Sequence, residues 1–245
     1  FLNADNPYLC RMAAERELHN DSERPDQSLV IPYGLEFSKA TVLTSTPEEP
    51  FLRIGLPGNV TINTNLIGSY NADNVMAALA VGEYFGISAE EGIKAIEAYV
   101  PSNKRSQMTR TERNTLIVDA YNANPSSMDA ALDFTRDCSV SGRKFFVLGD
   151  MLELGACARA EHYKVGRIAA DKADILLAYG PNSDGMLTGA RTGGMSAKFS
   201  RAFTDKEKMI QVLKTLAKPG DAILFKGSRG MRMEQVLEAF LQEEK

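Results

Sequence analysis

Three polar loops of this chain carry the residue types that bind charged small molecules. The polar side chains of interest in these loops are Asp119, Asn122, Asn124, Asp150, Lys226, Ser228 and Arg229. Each loop follows a short apolar run of the kind that forms a buried parallel strand. Ligands of open α/β sheets bind outside the carboxyl ends of the strands, so the three loops are predicted to share one binding edge.

Segment 226–230, KGSRG, combines two cations with a Gly-Ser turn at the predicted start of a helix. Free backbone N–H groups and the positive end of the helix dipole attract phosphate or carboxylate at such a position. A glycine-rich turn with solvated charges is the alternative interpretation. The segment is not a nucleotide P-loop, because neither G-x-x-x-x-G-K-[ST] nor G-x-G-x-x-G occurs in the chain.

Segments 119–125 (DAYNANP) and 149–155 (GDMLELG) each allow a structural and a functional interpretation. Asp119 ends a predicted strand, where a carboxylate can hold a ribose hydroxyl or orient a magnesium-bound phosphate. Asn and Asp in such a loop also form Asx turns and cap helices. Asp150 and its neighbour Glu153 can equally be plain loop acids, so the local sequence leaves both interpretations open.

Several other polar residues are candidates on weaker grounds. Asn71 and Asn74 lie three apart on one face of a predicted helix, where an asparagine at the helix start is commonly a cap. Arg105 lies in a polar linker, where arginines are commonly solvated. His19 and His162 are the 2 histidines and have no metal-ligand neighbourhood, which argues against histidine-based zinc or triad chemistry.

Predicted strands and helices alternate in the part of the chain that must position the loops. A hairpin is predicted over 107–119. The predicted helices are 125–138, 159–172, 182–190, 205–217 and 231–243, and the predicted strands between them are 143–148, 174–178, 198–203 and 221–226. This alternation is typical of an α/β fold with a mostly parallel sheet and helices on both faces.

The first hundred residues have a mixed pattern. The predicted helices are 7–19, 71–85 and 88–99, and short β-like runs lie at 29–31, 40–44, 51–54 and 60–64. Ser88 and Glu91 have the spacing of a capping box at the start of the third helix. The polar segment 101–106, PSNKRS, is predicted to separate this part of the chain from the alternating part.

Composition excludes several classes of protein. The 28 Lys and Arg against 32 Asp and Glu give a formal charge of −4, which exerts no general attraction for nucleic acid or anionic membranes. No apolar run approaches the roughly 18 residues that cross a bilayer. The 3 widely spaced cysteines form no disulfide framework and favour a reducing compartment. We therefore expect a monomeric cytoplasmic protein with no nucleic-acid partner and no membrane span.

Several motifs follow one another in a specific order. They are G-x-Y-N-x-x-N at 68–74, Arg105, DAYNANP at 119–125, LGDMLELG at 148–155, Glu161-His162 and KGSRGMRME at 226–234. This order resembles the Mur ligases of bacterial peptidoglycan synthesis over nearly the whole chain. The YNANP loop, in place of an A-H-x-P type of loop, resembles most closely the branch that adds D-Ala-D-Ala to UDP-MurNAc-tripeptide.

The resemblance implies a domain organisation. Mur ligases have an N-terminal domain for the UDP-sugar, a central P-loop ATPase domain and a C-terminal Rossmann-like domain. Residues 1–102 resemble the C-terminal portion of the central domain without its P-loop, and residues 103–245 resemble the complete Rossmann-like domain. The start at Phe1 is then expected to be a truncation. Tyr70 departs from the histidine that many relatives carry before the first asparagine.

The resemblance also implies a reaction, which is ATP-dependent amide bond formation through an acyl phosphate. Mg²⁺ is expected to be bound mainly by the missing part of the central domain, and no catalytic or metal-binding residue is expected in this chain. The residues implied in ATP binding are Asn71, Asn74, Arg105, Asp119 and Asn122. The residues implied in binding UDP-MurNAc-tripeptide and D-Ala-D-Ala are Asn124, Asp150, Lys226, Ser228 and Arg229.

Two other functions remain open from the sequence. One is a sibling ligase that adds a single amino acid to the same precursor. The other is a non-catalytic module, in which the α/β domain only binds a ligand or a partner. The isolated chain is expected to be inactive in every case, because it contains no P-loop to hold the β- and γ-phosphates of ATP.

Overall fold

Residues 1–18, 30–44, 50–101 and 107–242 are described by the computed structural model of the chain. The chain divides into a first unit, Phe1–Val100, and a second unit, Pro101–Lys245. The sequence-based boundary between residues 102 and 103 lies outside the described residues. The assignment of the first unit to part of an ATPase domain stays a prediction.

The first unit contains short strands and three helices. Its strands are β1 (Leu2–Asn3), β2 (Pro32–Tyr33), β3 (Thr41–Leu43), β4 (Arg53–Leu56) and β5 (Val60–Asn63), and its helices are α1 (Pro7–Glu15), α2 (Ala72–Tyr84) and α3 (Ala89–Ala98). Strands β1 and β2 pair in parallel, whereas β3, β4 and β5 form an antiparallel sheet in that order. Buried side chains of β4, β5 and α2, such as Ile54, Ile62 and Val75, form the core of this unit.

Local capping signals in the first unit are confirmed. The Asn6 side chain accepts hydrogen bonds from the N–H groups of Tyr8 and Leu9 and so begins α1. At the start of α3, Ser88 Oγ accepts from Glu91 N–H at 3.3 Å, and Glu91 Oε2 accepts from Ser88 N–H at 3.1 Å. These bonds form the predicted capping box, in which each residue satisfies a backbone N–H that the helix leaves open.

Two predictions for the first unit were wrong in their bounds. The first helix ends at Glu15, before a left-handed Glu17 with φ 54°, and the predicted end at His19 lies outside the described residues. Of the strand predicted at 29–31, residue 29 lies outside the described residues, and residues 30 and 31 precede a short strand at Pro32–Tyr33, whose partner is β1. The physical reason is that a two-residue pairing depends on a distant strand and not on the local apolar run.

The second unit is built on a six-stranded sheet. Its strands are β6 (Gln107–Arg110), β7 (Thr115–Asp119), β8 (Lys144–Gly149), β9 (Ile175–Tyr179), β10 (Ser200–Phe203) and β11 (Ala222–Lys226), in the spatial order β10-β9-β8-β11-β7-β6. Its helices are α4 (Pro125–Asp137), α5 (Ala158–Lys172), α6 (Ser183–Thr192), α7 (Lys206–Leu216) and α8 (Glu234–Leu241). All neighbouring strands are parallel except the β6–β7 hairpin, so the predicted α/β class with a mostly parallel sheet is confirmed.

Both faces of this sheet are buried. On one face, Phe145 and Phe225 pack with Met209 of α7 and Val236 of α8. Alternate strand residues such as Leu224 point to the other face and are also fully buried, and α4 contacts β8 and β11. This two-sided burial explains why the central strands read as continuous apolar runs in the sequence.

Helices α5 and α6 approach each other at glycines. A Cβ atom built on Gly166 would lie 1.9 Å from the backbone oxygen of Met186, and one built on Gly189 would lie 2.0 Å from that of Tyr163. Only glycine fits at both positions, because the two helix backbones themselves are in contact. Among the helices in the described ranges, none has the length and apolarity needed to cross a bilayer.

Candidate functional site

The three polar loops lie at the carboxyl ends of neighbouring strands, as predicted. Strands β8, β11 and β7 are consecutive in the sheet, so the loops that begin at Asp150, Gly227 and Ala120 start side by side. The loop after β9, which contains Asn182, joins them through hydrogen bonds to Asp150. The prediction that the three loops share one edge of the sheet is therefore confirmed, and the contacts among the loops define the geometry of the candidate site.

Lys226 and Asp119 form a buried ion pair at the centre of this edge. They lie opposite each other in the parallel register of β11 and β7, and Lys226 Nζ donates a hydrogen bond to Asp119 Oδ2. The same Nζ donates to the backbone oxygen of Asn122 at 3.3 Å. The sequence assigned Asp119 to ATP and Lys226 to the other substrates, whereas the structure brings the two side chains together.

Burial lowers the pKa of the Lys226 ammonium group, and the neighbouring Asp119 carboxylate opposes that shift through charge attraction and the hydrogen bond. The lysine side chain is 1% exposed, so its charge is stabilised by protein groups and not by water. A buried charge of this kind is tolerated because it is paired and hydrogen-bonded.

Ser228 connects three loops. Its hydroxyl accepts a hydrogen bond from Leu152 N–H at 2.8 Å and donates to the backbone oxygen of Ala123 at 3.2 Å. Its own N–H donates to the backbone oxygen of Asp150 at 3.0 Å. Because Ser228 is 4% exposed, its side chain organises the site from within and presents almost no surface to a ligand.

Asp150 is fully buried and holds the start of α6. Its Oδ2 accepts hydrogen bonds from the backbone N–H of Asn182 at 2.9 Å and from its side chain at 2.8 Å. A Cβ atom on Gly180 would lie 2.6 Å from Asp150 Cγ, so the carboxylate fits against a bare backbone. Asp150 was predicted to bind substrate. Its side chain is 0% exposed, so the carboxylate is not at the surface of the site.

His162 is a member of this site whose role the sequence reasoning missed. Its Nε2 accepts a hydrogen bond from Met151 N–H at 2.9 Å, and its Nδ1 lies 2.6 Å from the backbone oxygen of Ala158. These partners assign the proton to Nδ1, because a carbonyl oxygen only accepts and an N–H only donates. The Glu161-His162 motif singled out this position, but only the fold shows that it reaches the loop after β8.

Asn122 and Asn124 are exposed in the loop after β7. The Asn122 side chain accepts a hydrogen bond from the N–H of Ala123 at 2.9 Å. The backbone oxygen of Asn122 accepts a hydrogen bond from Lys226. Asn124 caps α4, because its Oδ1 accepts from Ser127 N–H at 2.8 Å. The structural interpretation is therefore confirmed for Asn124, which is a helix cap, whereas Asn122 bonds the adjacent N–H and forms no Asx turn through that bond.

Arg229 presents a cation at the surface of the site. Its side chain is exposed, and its Cζ atom lies 5.5 Å from the ring centroid of Tyr121, in the cation–π range. The residue begins a short 3-10 turn, Arg229–Met231, directly after β11 and Ser228. Tyr121 carried no separate assignment in the sequence, and its proximity to Arg229 follows from the pairing of β7 with β11.

The remaining predicted residues belong to the first unit or lie outside the described residues. Asn71 and Asn74 belong to the first unit, where Asn74 Nδ2 donates to Asn71 Oδ1 at 3.0 Å and Asn71 Nδ2 donates to the backbone oxygen of Ile67 at 2.8 Å. The two asparagines therefore share a helix face, as predicted, although Asn71 makes no side-chain cap. Arg105 lies outside the described residues.

The described acidic, histidine and cysteine side chains do not form a cluster of metal ligands. Within the described ranges, no three His, Cys, Asp or Glu side chains are grouped closely enough to hold a metal ion. Mg²⁺ prefers such carboxylates together with phosphate oxygens and waters. The described residues therefore supply no carboxylate cluster that would hold Mg²⁺ without a bound phosphate, and no chemical step is assigned to a metal held by them.

Comparison with known families and proteins gives consistent similarities. The family model for the "Mur ligase, glutamate ligase domain" matches residues 104–229. A UDP-N-acetylmuramoyl-tripeptide--D-alanyl-D-alanine ligase of Bacillus subtilis is 37% identical over 179 residues, which are 72% of this chain and 39% of that protein. The ligase of the same name from Synechocystis is 29% identical over 245 residues, which are 99% of this chain and 49% of that protein.

Solved structures show the same fold. The chain resembles the MurF ligase of Thermotoga maritima in complex with ADP, with a TM-score of 0.75 and 22% identity over 98% of this chain and 52% of that one. A MurF of Acinetobacter baumannii gives a TM-score of 0.77 and 22% identity over 96% of this chain and 50% of that one. The chain thus spans about half the length of the proteins it resembles.

Proposed function

The chain belongs to the Mur ligase family, and on that premise we propose that the gene product containing it joins D-Ala-D-Ala to UDP-MurNAc-tripeptide with ATP. The observation that carries the proposal is the 37% identity over 179 residues to the Bacillus subtilis ligase of that specificity. The site supports it, because the exposed Arg229 and the largely buried Asp119 carboxylate follow neighbouring strands, suited to an anionic acceptor and to a ribose.

In the proposed reaction, the terminal carboxylate of the tripeptide attacks the γ-phosphorus of ATP, and ADP leaves. The amine of D-Ala-D-Ala then attacks the acyl phosphate carbonyl, loses a proton, and expels inorganic phosphate from the tetrahedral intermediate. Chemistry of this kind depends on positioning and charge neutralisation and not on a covalent protein nucleophile. This chain would therefore contribute binding and orientation.

For ATP, we propose that the Asp119 carboxylate accepts hydrogen bonds from the ribose hydroxyls. Asn71 and Asn74 would lie beside the adenine, Arg105 would contact a phosphate, and Asn122 would border the nucleotide. The ADP bound to the related Thermotoga structure supports use of ATP in the family. Mg²⁺ would accompany the phosphates through ligands that this chain does not supply.

For the acceptor, we propose that segment 226–230 faces the free carboxylate of D-Ala-D-Ala. Arg229 is the exposed cation of that segment, and a guanidinium group binds a carboxylate through two parallel hydrogen bonds. Asn124 would border the same ligand at the start of α4. Asp150 and Ser228 would act indirectly, since both are buried and hold the loops in place. We place the enzyme in the cytoplasm as a monomer.

The test is an acceptor-specificity assay with the complete gene product. Phosphate release is measured with ATP and either UDP-MurNAc-tripeptide plus D-Ala-D-Ala, or UDP-MurNAc-dipeptide plus meso-diaminopimelate or L-lysine. Release that depends on D-Ala-D-Ala supports the proposal, whereas release with a single amino acid identifies a sibling ligase. No release with any acceptor, together with ligand binding, favours a non-catalytic module. The isolated 245-residue chain is expected to release no phosphate, and turnover by it would contradict that part of the proposal.

A further inference from the structure

The ammonium group of Lys226 is fully engaged inside the fold. Its Nζ donates to Asp119 Oδ2 and, at 3.3 Å, to the backbone oxygen of Asn122. The side chain of Lys226 is 1% exposed and that of Asp119 is 12% exposed. The carboxylate is therefore the part of this ion pair that solvent, or a ligand at this edge of the sheet, can reach.

A second role for Lys226 as ligand of the acceptor carboxylate conflicts with this geometry. If Nζ turned towards an external carboxylate, Asp119 would keep a largely buried negative charge without its partner, which is a costly arrangement. The neighbouring main-chain oxygen of Asn122 would lose a donor as well. The pair is more stable as a unit than Lys226 is as a binding group.

We infer that Lys226 is a positioning residue that orients Asp119 towards the nucleotide, and that Arg229, not Lys226, binds the carboxylate of the dipeptide. This inference rests on the proposed function, because that function gives Asp119 the ribose and segment 226–230 the acceptor. It differs from the assignment of Lys226 to the acceptor, which the family resemblance implied.

The loop after β7 links the two roles. Lys226 holds this loop through Asp119 and the backbone of Asn122, while the guanidinium group of Arg229 lies 5.5 Å from the Tyr121 ring of the same loop. A cation–π contact restrains a guanidinium group without a hydrogen bond, so the contact does not by itself use the N–H groups that bind a carboxylate. Both cations of KGSRG therefore contact the same short loop, one in its interior and one at its surface.

The experiment compares Michaelis constants in the complete gene product. Lys226→Met and Asp119→Asn are each expected to raise the KM for ATP about tenfold, the scale of one lost hydrogen bond to a charged group. Both variants should leave the KM for D-Ala-D-Ala within about twofold of the wild type. Lys226→Gln retains a donor for Asp119 and should recover part of the KM for ATP. Arg229→Gln should raise the KM for D-Ala-D-Ala about tenfold and leave that for ATP unchanged.

Matched controls are Lys164→Met and Arg201→Gln, which alter exposed residues of α5 and β10 outside the site. If Lys226→Met raises the KM for D-Ala-D-Ala and not that for ATP, Lys226 is an acceptor ligand and the inference is wrong. The inference is also wrong if Arg229→Gln leaves the KM for ATP and the KM for D-Ala-D-Ala unchanged.

A measurement without turnover separates this inference from the proposed function. Urea unfolding of the 245-residue chain is recorded for Lys226→Met, Asp119→Asn and the double variant. A coupled pair predicts that the double variant is no less stable than Lys226→Met alone. If the wild-type gene product does not join D-Ala-D-Ala to UDP-MurNAc-tripeptide, the proposed function fails. Independently, if the losses in the free energy of unfolding of the two single variants add up in the double variant, Lys226 and Asp119 are not a coupled pair.

Discussion

Asp150 Oδ1 and His162 Nε2 face each other in the buried interior, and both atoms are hydrogen-bond acceptors. Asp150 Oδ1 lies 3.6 Å from His162 Nε2, and both side chains are 0% exposed. Nε2 already accepts a hydrogen bond from Met151 N–H, so it carries no proton for the carboxylate. Within the described part of the chain, Oδ1 of Asp150 has no hydrogen-bond partner. The two residues are neighbours without being an ion pair.

Replacement of Asp150 tests this relationship. Asp150→Asn should change the free energy of unfolding by less than about 1 kcal/mol, because the amide oxygen still accepts from Asn182 and the amide N–H faces Nε2. Asp150→Ala should cost about 2–4 kcal/mol, because it removes both hydrogen bonds to Asn182 and leaves a cavity. Urea unfolding measures both, with the exposed Asp171→Asn as control. A loss for Asp150→Asn as large as that for Asp150→Ala would show that the negative charge itself is required.

Removal of the Ser228 hydroxyl is expected to loosen the site. Ser228→Ala leaves Leu152 N–H without its acceptor and Ala123 without a donor, so we expect a loss of about 2 kcal/mol in the free energy of unfolding. The amide of Leu152 should also exchange faster with deuterium. The control is Ser139→Ala at an exposed position, expected to change stability by less than about 0.5 kcal/mol. Unchanged exchange at Leu152 would contradict the hydrogen bond.

The contact between α5 and α6 makes opposite predictions for two glycines of the same helix. Gly189→Ala should destabilise the chain by about 3 kcal/mol, because its Cβ would lie 2.0 Å from the backbone oxygen of Tyr163. Gly185→Ala should be neutral or stabilise by about 0.5 kcal/mol, because its nearest contact would be 3.6 Å and alanine favours a helix. Thermal unfolding of the two variants gives the comparison, and equal melting temperatures would refute the backbone contact.

Alkaline pH should weaken the second unit through Cys138. Burial raises the pKa of this thiol from its ordinary value of 9.0 to about 11, so the folded state keeps a proton that the unfolded state loses. The stability from this group is complete below about pH 9 and is lost as pH rises towards 11, by about 2 kcal/mol in total. Urea unfolding at pH 8 and pH 10.5 should therefore show a smaller decrease for Cys138→Ala than for the wild type. Cys157→Ala, at an exposed thiol, should behave like the wild type.

Elements with a local physical cause could be predicted from the sequence. The capping box of Ser88 and Glu91 depends on a spacing of three, and α4 begins where Asn124 precedes Pro125. The alternating pattern also placed the polar loops at one sheet edge, because parallel strands bring their carboxyl ends together. The position of β2 was missed because it depends on pairing with β1. The end of α1 was missed because the left-handed Glu17 that follows it is not marked by a glycine or a proline.

The contacts within the site could not be predicted in the same way. Lys226 and Asp119 are 107 positions apart in the chain, and only the register of β11 with β7 makes them partners. Residue type identified Lys226, Ser228 and Arg229 as a polar group, but it did not show that the first two are buried and the third exposed. His162 and Asn182 were missed for the same reason, because their partners lie in a distant loop.

The connections made by Ser228 limit how the loops of this domain can be exchanged. Because one hydroxyl joins the loops after β7, β8 and β11, a loop transferred alone from a ligase of another specificity would arrive without the partners that fix its conformation. A change of specificity by recombination or by design would therefore require all three loops to be transferred together, although more than 70 residues separate Leu152 from Ser228.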